Sequence, residues 1–144
     1  MITADLVEEN IGISKEYNNF ELINAVAYKN EAKAFGIAKY FALNTKNNPF
    51  VVTTSLLYNF FSKLLQYHGM VYKNAGANPA DIAKQLGINQ YGLKDYQAAS
   101  KIYPMKKVSQ AIAVIREIDL KGKGVNGSLT HDDLLKELLI KVLR

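Results

Sequence analysis

The sequence predicts an all-α protein, a single bundle of about six to eight helices. Two observations carry that prediction. Apolar residues recur at i, i+3 and i+4 along most of the chain, and no segment alternates cleanly with a period of two. Strong breakers (Asn47-Asn48-Pro49, Asn78-Pro79, Gly87, Pro104 and the glycine-rich stretch 121–127) separate the periodic segments. The length of 144 residues suits one compact domain with its own core, and 49% apolar residues is ordinary for a water-facing bundle.

Taken in order, a short helix is expected at 3–9, ended by Gly12. A helix over 19–28 starts from Asn18 or Asn19 as N-cap, with Phe20, Ile23 and Ala27 as its buried stripe. The next covers 31–46, capped by Asn30, with Glu31 in the first turn where the helix dipole favours an acid. Ala34, Ile37, Ala38 and Phe41 share one face of it. Asn47-Asn48-Pro49 stops that helix, because proline disfavours helix at the preceding residue. The helix over 51–72 carries Leu56, Leu57, Phe60, Phe61, Leu64 and Leu65, a wide apolar face that puts it at the centre of the core.

After a loop at 73–78, Asn78-Pro79 supplies an N-cap and a first-turn proline, and Gly87 ends the helix 79–86. A helix over 90–102 breaks before Pro104 and turns Leu93, Tyr96, Ala99 or Ser100, and Tyr103 inward. The helix over 104–120 buries Val108, Ala111, Ile112, Ile115 and Ile118, and the three glycines in Lys121–Gly127 make that stretch a loop. Thr130 caps the last helix, with Asp133 in the capping-box position and Leu134, Leu135, Leu138, Leu139 and Val142 on the apolar face. Residues 1–18 read as the tail of an upstream domain or a linker, and residues 19–144 as the helical domain.

Composition excludes several chemistries. There is no cysteine, hence no disulfide framework, thiolate metal site or cysteine nucleophile. No apolar run reaches the roughly 20 residues that span a bilayer, and Met1 to Asn10 lacks the pattern of a secretory signal, so no membrane role and a cytoplasmic location are expected. His68 has no second ligand at i±3 or i±4 and reads as a helix-end histidine. His131, beside Asp132 and Asp133, reads as part of a solvated helix start, where acids are stabilising without any metal. Gly122-Lys123-Gly124 lacks the spacing and the Ser/Thr of a phosphate-binding loop, and no serine sits in the strand-turn-helix context of a nucleophile. No catalytic residue, cofactor or metal is therefore expected.

The net charge is +5, all of it in the second half: residues 1–72 carry six lysines and six acids, residues 73–144 twelve Lys/Arg and seven acids. A basic half favours an acidic partner such as nucleic acid. One route is a helix-turn-helix made of Pro79–Leu86, the turn Gly87-Ile88-Asn89 and Gln90–Ile102, presenting Gln90, Tyr91, Lys94 and Asp95 to DNA. Gln and Lys suit base and phosphate contacts, whereas Gly92 weakens the helix and Asp95 repels phosphate. The other route is single-stranded nucleic acid, met by stacking and charge at Tyr91, Lys94, Lys101, Tyr103, Lys106 and Lys107.

Four motifs occur in order: Ile82-Ala-Lys-Gln-Leu-Gly-Ile, Lys94-Asp-Tyr-Gln-Ala-Ala, Ile115-Arg-Glu-Ile-Asp-Leu-Lys-Gly-Lys-Gly and Leu134-Leu-Lys-Glu-Leu-Leu-Ile-Lys-Val-Leu. Together they resemble the C-terminal domain of the delta subunit of the bacterial DNA polymerase III clamp loader. The segment Ile11-Gly-Ile-Ser-Lys-Glu-Tyr-Asn-Asn-Phe-Glu-Leu-Ile-Asn-Ala-Val resembles the end of that subunit's middle domain and its linker into the last domain. Gln90-Tyr91 stands where the family often has Pro-Phe or Pro-Tyr, and Ser100-Lys101 where an Arg often follows the Ala-Ala pair.

The resemblance implies a helical collar domain that packs with its counterparts on the other loader subunits, of delta prime and gamma/tau type. It also implies a non-catalytic role, DNA nearby in the full complex, and a sliding clamp held by a domain outside these 144 residues. An assembly role fits the apolar stripes on 56–65 and 134–142, which one bundle is not expected to hide completely. Which residues form the interface between subunits is not legible in the sequence.

Overall fold

The computed structural model describes residues 17–44, 49–125 and 130–144. The expected helix at 3–9 with its stop at Gly12, most of the expected tail at 1–18, and the break at Asn47-Asn48 lie outside the described residues. The described residues form seven α-helices and no strand: α1 (Asn19–Ala27), α2 (Glu31–Leu43), α3 (Phe50–Lys73), α4 (Pro79–Leu86), α5 (Leu93–Ile102), α6 (Met105–Leu120) and α7 (His131–Leu143). A 3₁₀ turn, Gln90–Gly92, precedes α5, and a π-turn, Lys121–Val125, extends α6.

The ends of these helices are set by local chemistry. The Asn18 and Asn30 side chains accept from the amides of Glu21 (3.0 Å) and Lys33 (3.2 Å), closing the starts of α1 and α2. Between them Lys29 takes a left-handed conformation (φ 55°), which a lysine adopts only at a cost of about 1–2 kcal/mol. Asn78 caps α4 ahead of Pro79, and Gly87 (φ 71°) ends it, with the Ile88 amide reaching back to the Ala83 carbonyl. At α7 the Thr130 hydroxyl oxygen accepts from the Asp133 amide (3.2 Å), and the same hydroxyl donates to the Asp133 carboxylate (3.0 Å). The short aspartate thus closes the cap through the threonine side chain.

Five helices close around one core. α3 lies against α6, α6 against α7, α7 against α2, α2 against α1, and α1 returns to α3. Leu57, Phe60, Phe61 and Leu64 of α3 are buried in the same cluster as Val108, Ala111, Ile115 and Ile118 of α6 and Leu134, Leu135, Leu138 and Leu139 of α7. Tyr103 joins α5 to this core: its ring meets Phe61 edge-on at 5.5 Å, and its hydroxyl donates to the Val26 carbonyl (2.7 Å). A second, smaller cluster (Tyr67, Ile82, Leu86, Leu93) holds α4 and the 3₁₀ turn against the far end of α3.

Several expectations are corrected. Phe20 is 75% exposed; the buried side of α1 is Leu22, Ala25, Val26 and Ala27, with Ile23 only half-buried. The Asn18 cap and the tie from Thr53 to Asn19 fix the rotation of α1, and that rotation turns Leu22 and Val26 inward. Helix 31–46 ends at Leu43, and helix 104–120 begins at Met105 with Pro104 as its cap. Helix 90–102 is broken at Gly92 into a 3₁₀ turn and a helix. Lys121–Val125 is a helical turn rather than loop, with Gly122 packed closely against the Phe50 ring. Finally, the stripes on 56–65 and 134–142 are largely used by the bundle itself: apart from half-buried Leu56 and Leu65, their large apolar residues lie inside, exposed Tyr58 and Ile140 excepted.

Two outcomes follow from this packing. A methyl group on residue 122 would sit 2.5 Å from Phe50 Cε2, so Gly122→Ala should cost about 1–3 kcal/mol, read as a lower urea midpoint with an unchanged slope. Phe61→Ala, which empties the centre of the core, should cost about 3–5 kcal/mol in the same titration.

Candidate interaction surface

The buried polar groups of α3 hold helices together. Thr53 and Thr54, both buried in an otherwise apolar face, donate to Asn19 Oδ1 (2.8 Å) and Asp119 Oδ1 (2.8 Å). They dock α3 to α1 and α6. Sequence reasoning missed them; the signal is two adjacent hydroxyls on an apolar stretch, where an uncompensated hydroxyl is costly. Asp119 also pairs with Lys123 (3.0 Å). Burial alone would raise its pKa, but the bonds from Lys123 and Thr54 outweigh that and hold it below the usual 3.8. Glu117, Lys121, Glu137 and Lys141 form a lattice of contacts at 3.3–3.9 Å between α6, the π-turn and α7. Glu137, too, is pushed up by burial, but its bonds to the lysines win, and it lies below the usual 4.5.

The two histidines also have structural partners. His68 donates from Nε2 to the Tyr103 carbonyl (2.8 Å); a carbonyl only accepts, so the proton sits on Nε2. His131 remains exposed, yet its ring stacks on Phe50 (centroids 4.8 Å, planes 12° apart) and its Nε2 donates to the Gly122 carbonyl (3.0 Å). The expectation of a merely solvated His131 is thus refined: it stacks on the Phe50 ring and bonds to Gly122, which also packs against that ring. Among the described residues no group of three His, Cys, Asp or Glu is placed to hold a metal ion.

The residues expected to meet nucleic acid lie on three successive elements. Tyr91 lies in the 3₁₀ turn and is 86% exposed. Lys94 and Lys101 stand seven residues apart on α5, hence on one stripe of it, and are exposed. Lys106 and Lys107 are exposed in the first turn of α6, which holds no acid. Among the described residues none of these four lysines is in an ion pair. Asp95 faces elsewhere: its carboxylate accepts from the Tyr28 hydroxyl (2.6 Å), a bond that, ahead of burial, raises the Tyr28 pKa.

The expected reading helix is interrupted: Gln90 and Tyr91 lie in the 3₁₀ turn before α5, Lys94 is exposed on α5, and Asp95 is engaged by Tyr28. Leu93, expected inward, is buried against α4 and α3. Tyr103, offered as a stacking residue, is 3% exposed and is likewise a core residue. Lys101 instead lines a groove of about 920 Å³ bounded by Tyr67, Val71 and Tyr72 of α3 and by Pro104 and Met105 at the elbow into α6.

A separate exposed apolar set lies at the opposite end of α3. Val51 (51%), Val52 (42%) and Tyr58 (39%) face outward along its first two turns and beyond, and Phe20 of α1 is 75% exposed next to Asn19, which bonds to Thr53 of α3. No helix among the described residues is long and apolar enough to cross a membrane.

Compared with known families, the chain matches the family model described as DNA polymerase III delta subunit, C-terminal domain, over residues 16–142. No curated protein matches it significantly.

The carboxylates fixed here give a pH dependence. Asp119 and Glu137 bind protons more weakly folded than unfolded, so their contribution is complete above about pH 5 and is lost as pH falls through their lowered values. Urea midpoints measured between neutral pH and about pH 2.5 should therefore fall on the acid side, and Asp119→Asn should flatten that limb.

Proposed function

The chain belongs to the family formed by the C-terminal domain of the DNA polymerase III delta subunit, and we propose that it works as the collar-type assembly domain of a clamp loader. In this reading it places its helices against the corresponding domains of delta prime and gamma/tau-type subunits. It contributes no bond-making chemistry: the ring-opening and nucleotide steps belong to other domains and subunits, and DNA passes close to it in the assembled loader. A loader acting on chromosomal DNA works in the cytoplasm.

The observation that supports this reading is the outward apolar set Phe20, Val51, Val52 and Tyr58. These side chains take no part in the bundle's own core, although the stripes expected to be surplus do. Exposed aromatic and branched apolar side chains are the residue types found at interface centres. Their removal from water on docking is a favourable term of about 25 cal/mol per Å².

Mixed at micromolar concentration with delta prime and gamma/tau subunits, the chain should elute in a larger complex by size-exclusion chromatography with light scattering. Val52→Asp combined with Tyr58→Asp should leave the thermal transition in place and weaken assembly at least about tenfold, or about 1.4 kcal/mol. A folded chain that remains monomeric beside all the loader subunits would sink the proposal.

A further inference from the structure

We propose that the groove between the end of α3 and the α5–α6 elbow binds single-stranded nucleic acid. The inference goes beyond the assembly role and does not depend on it. The groove lies at the opposite end of α3 from Phe20, Val51 and Val52.

The first argument is charge. No acidic residue occurs between Glu31 and Asp81, or between Asp95 and Glu117. The whole of α3, the later part of α5 and the first three turns of α6 are therefore free of carboxylates. Lys73, Lys101, Lys106 and Lys107 stand on these segments and are exposed. Asp95 lies two positions before Gln97, hence on a different side of α5, and it is engaged by Tyr28. The acids of α6 start at Glu117, twelve residues beyond Met105, or about 18 Å along the helix. That is roughly twice the screening length at physiological salt, so they do not cancel the lysines around the groove. α4, which packs at the same end of α3, adds Asp81 and Lys84, one charge of each sign.

The second argument is shape and surface. The floor is apolar, made by Tyr67, Val71, Pro104 and Met105, and Gln97 and Ser100 add polar groups on the α5 side. Tyr72 stands at the edge and is 88% exposed, so its ring has no packing role in the bundle. A ring face beside unpaired lysines and an apolar trough suits unstacked bases with their phosphates turned to the rim. A duplex keeps its bases stacked and would leave Tyr72 and the trough unused. An acidic peptide would satisfy the lysines and leave the ring idle.

The test is fluorescence anisotropy of a labelled oligothymidylate of about 15 nucleotides, titrated with the intact chain at several salt concentrations. Binding should be measurable at low salt. Its logarithm should fall with log salt at a slope near −2 to −3, as about 0.7 per phosphate contact and three or four lysines require. Tyr72→Ala should weaken binding about tenfold, within the range for loss of one stacked base. Lys101→Ala with Lys106→Ala should make the slope shallower by about 1.4, whereas Lys136→Ala on α7 should leave both unchanged. All four positions are exposed, so the variants are expected to fold, and circular dichroism checks it. No binding at low salt, equal binding by the Tyr72 and lysine variants, or equal competition by polyglutamate would each overturn the proposal.

Discussion

The burial of α3 is the constraint on which the rest of the structure depends. Leu57, Phe60, Phe61 and Leu64 leave water on one face of a 24-residue helix. Each such side chain is worth roughly 1.5–3 kcal/mol of transfer free energy, enough to offset much of the ordering cost of the elements that cover it. Only α6 runs along most of this face, while α1, α5 and α4 each cover part of it. The hydroxyls of Thr53 and Thr54 then convert a greasy contact into a defined one. Each has one partner at 2.8 Å, on α1 and on α6, and sliding α3 by one residue would strand both.

Much of the architecture was legible in the sequence because the signals were local. Asn30, Asn78, Gly87 and Thr130 occupy the cap positions that their chemistry predicts. The inward faces of α2, α6 and α7 follow from spacing alone. What escaped was decided by contacts between distant segments. In α1 the sets Phe20/Ile23/Ala27 and Leu22/Ala25/Val26 are both helical stripes, and only the pairing of Asn19 with Thr53 selects the second. Three glycines near residue 122 read as loop, yet the absence of a side chain there is what lets the turn close over Phe50. For the candidate surfaces, the lysines were visible as residue types. That Lys101 lines a trough with Tyr72 depends on how α5 and the elbow at Pro104 lie against α3, which no local pattern encodes.

Charge is divided along the long axis of the bundle. Carboxylates and lysines alternate where α6, the π-turn and α7 meet, giving a lattice in which each acid has a basic neighbour. At the other end of α6 the lysines stand without such neighbours. A domain with one neutralised end and one cationic end has the charge separation that the proposed contact with nucleic acid would use, since such a separation orients a molecule in a polyanion's field before contact.

The small cluster of Tyr67, Ile82, Leu86 and Leu93 carries a consequence for motion. α4 and the 3₁₀ turn are fastened to the rod by these few side chains, whereas the main bundle is clamped by several times as many. Such an appendage opens as its own cooperative unit at a lower free energy than global unfolding, and its amides exchange with solvent first. Tyr67 belongs both to that fastening and to the floor of the trough beside Lys101. Opening of α4 therefore uncovers one flank of Tyr67, while every side chain that lines the trough stays on α3, α5 and the elbow into α6.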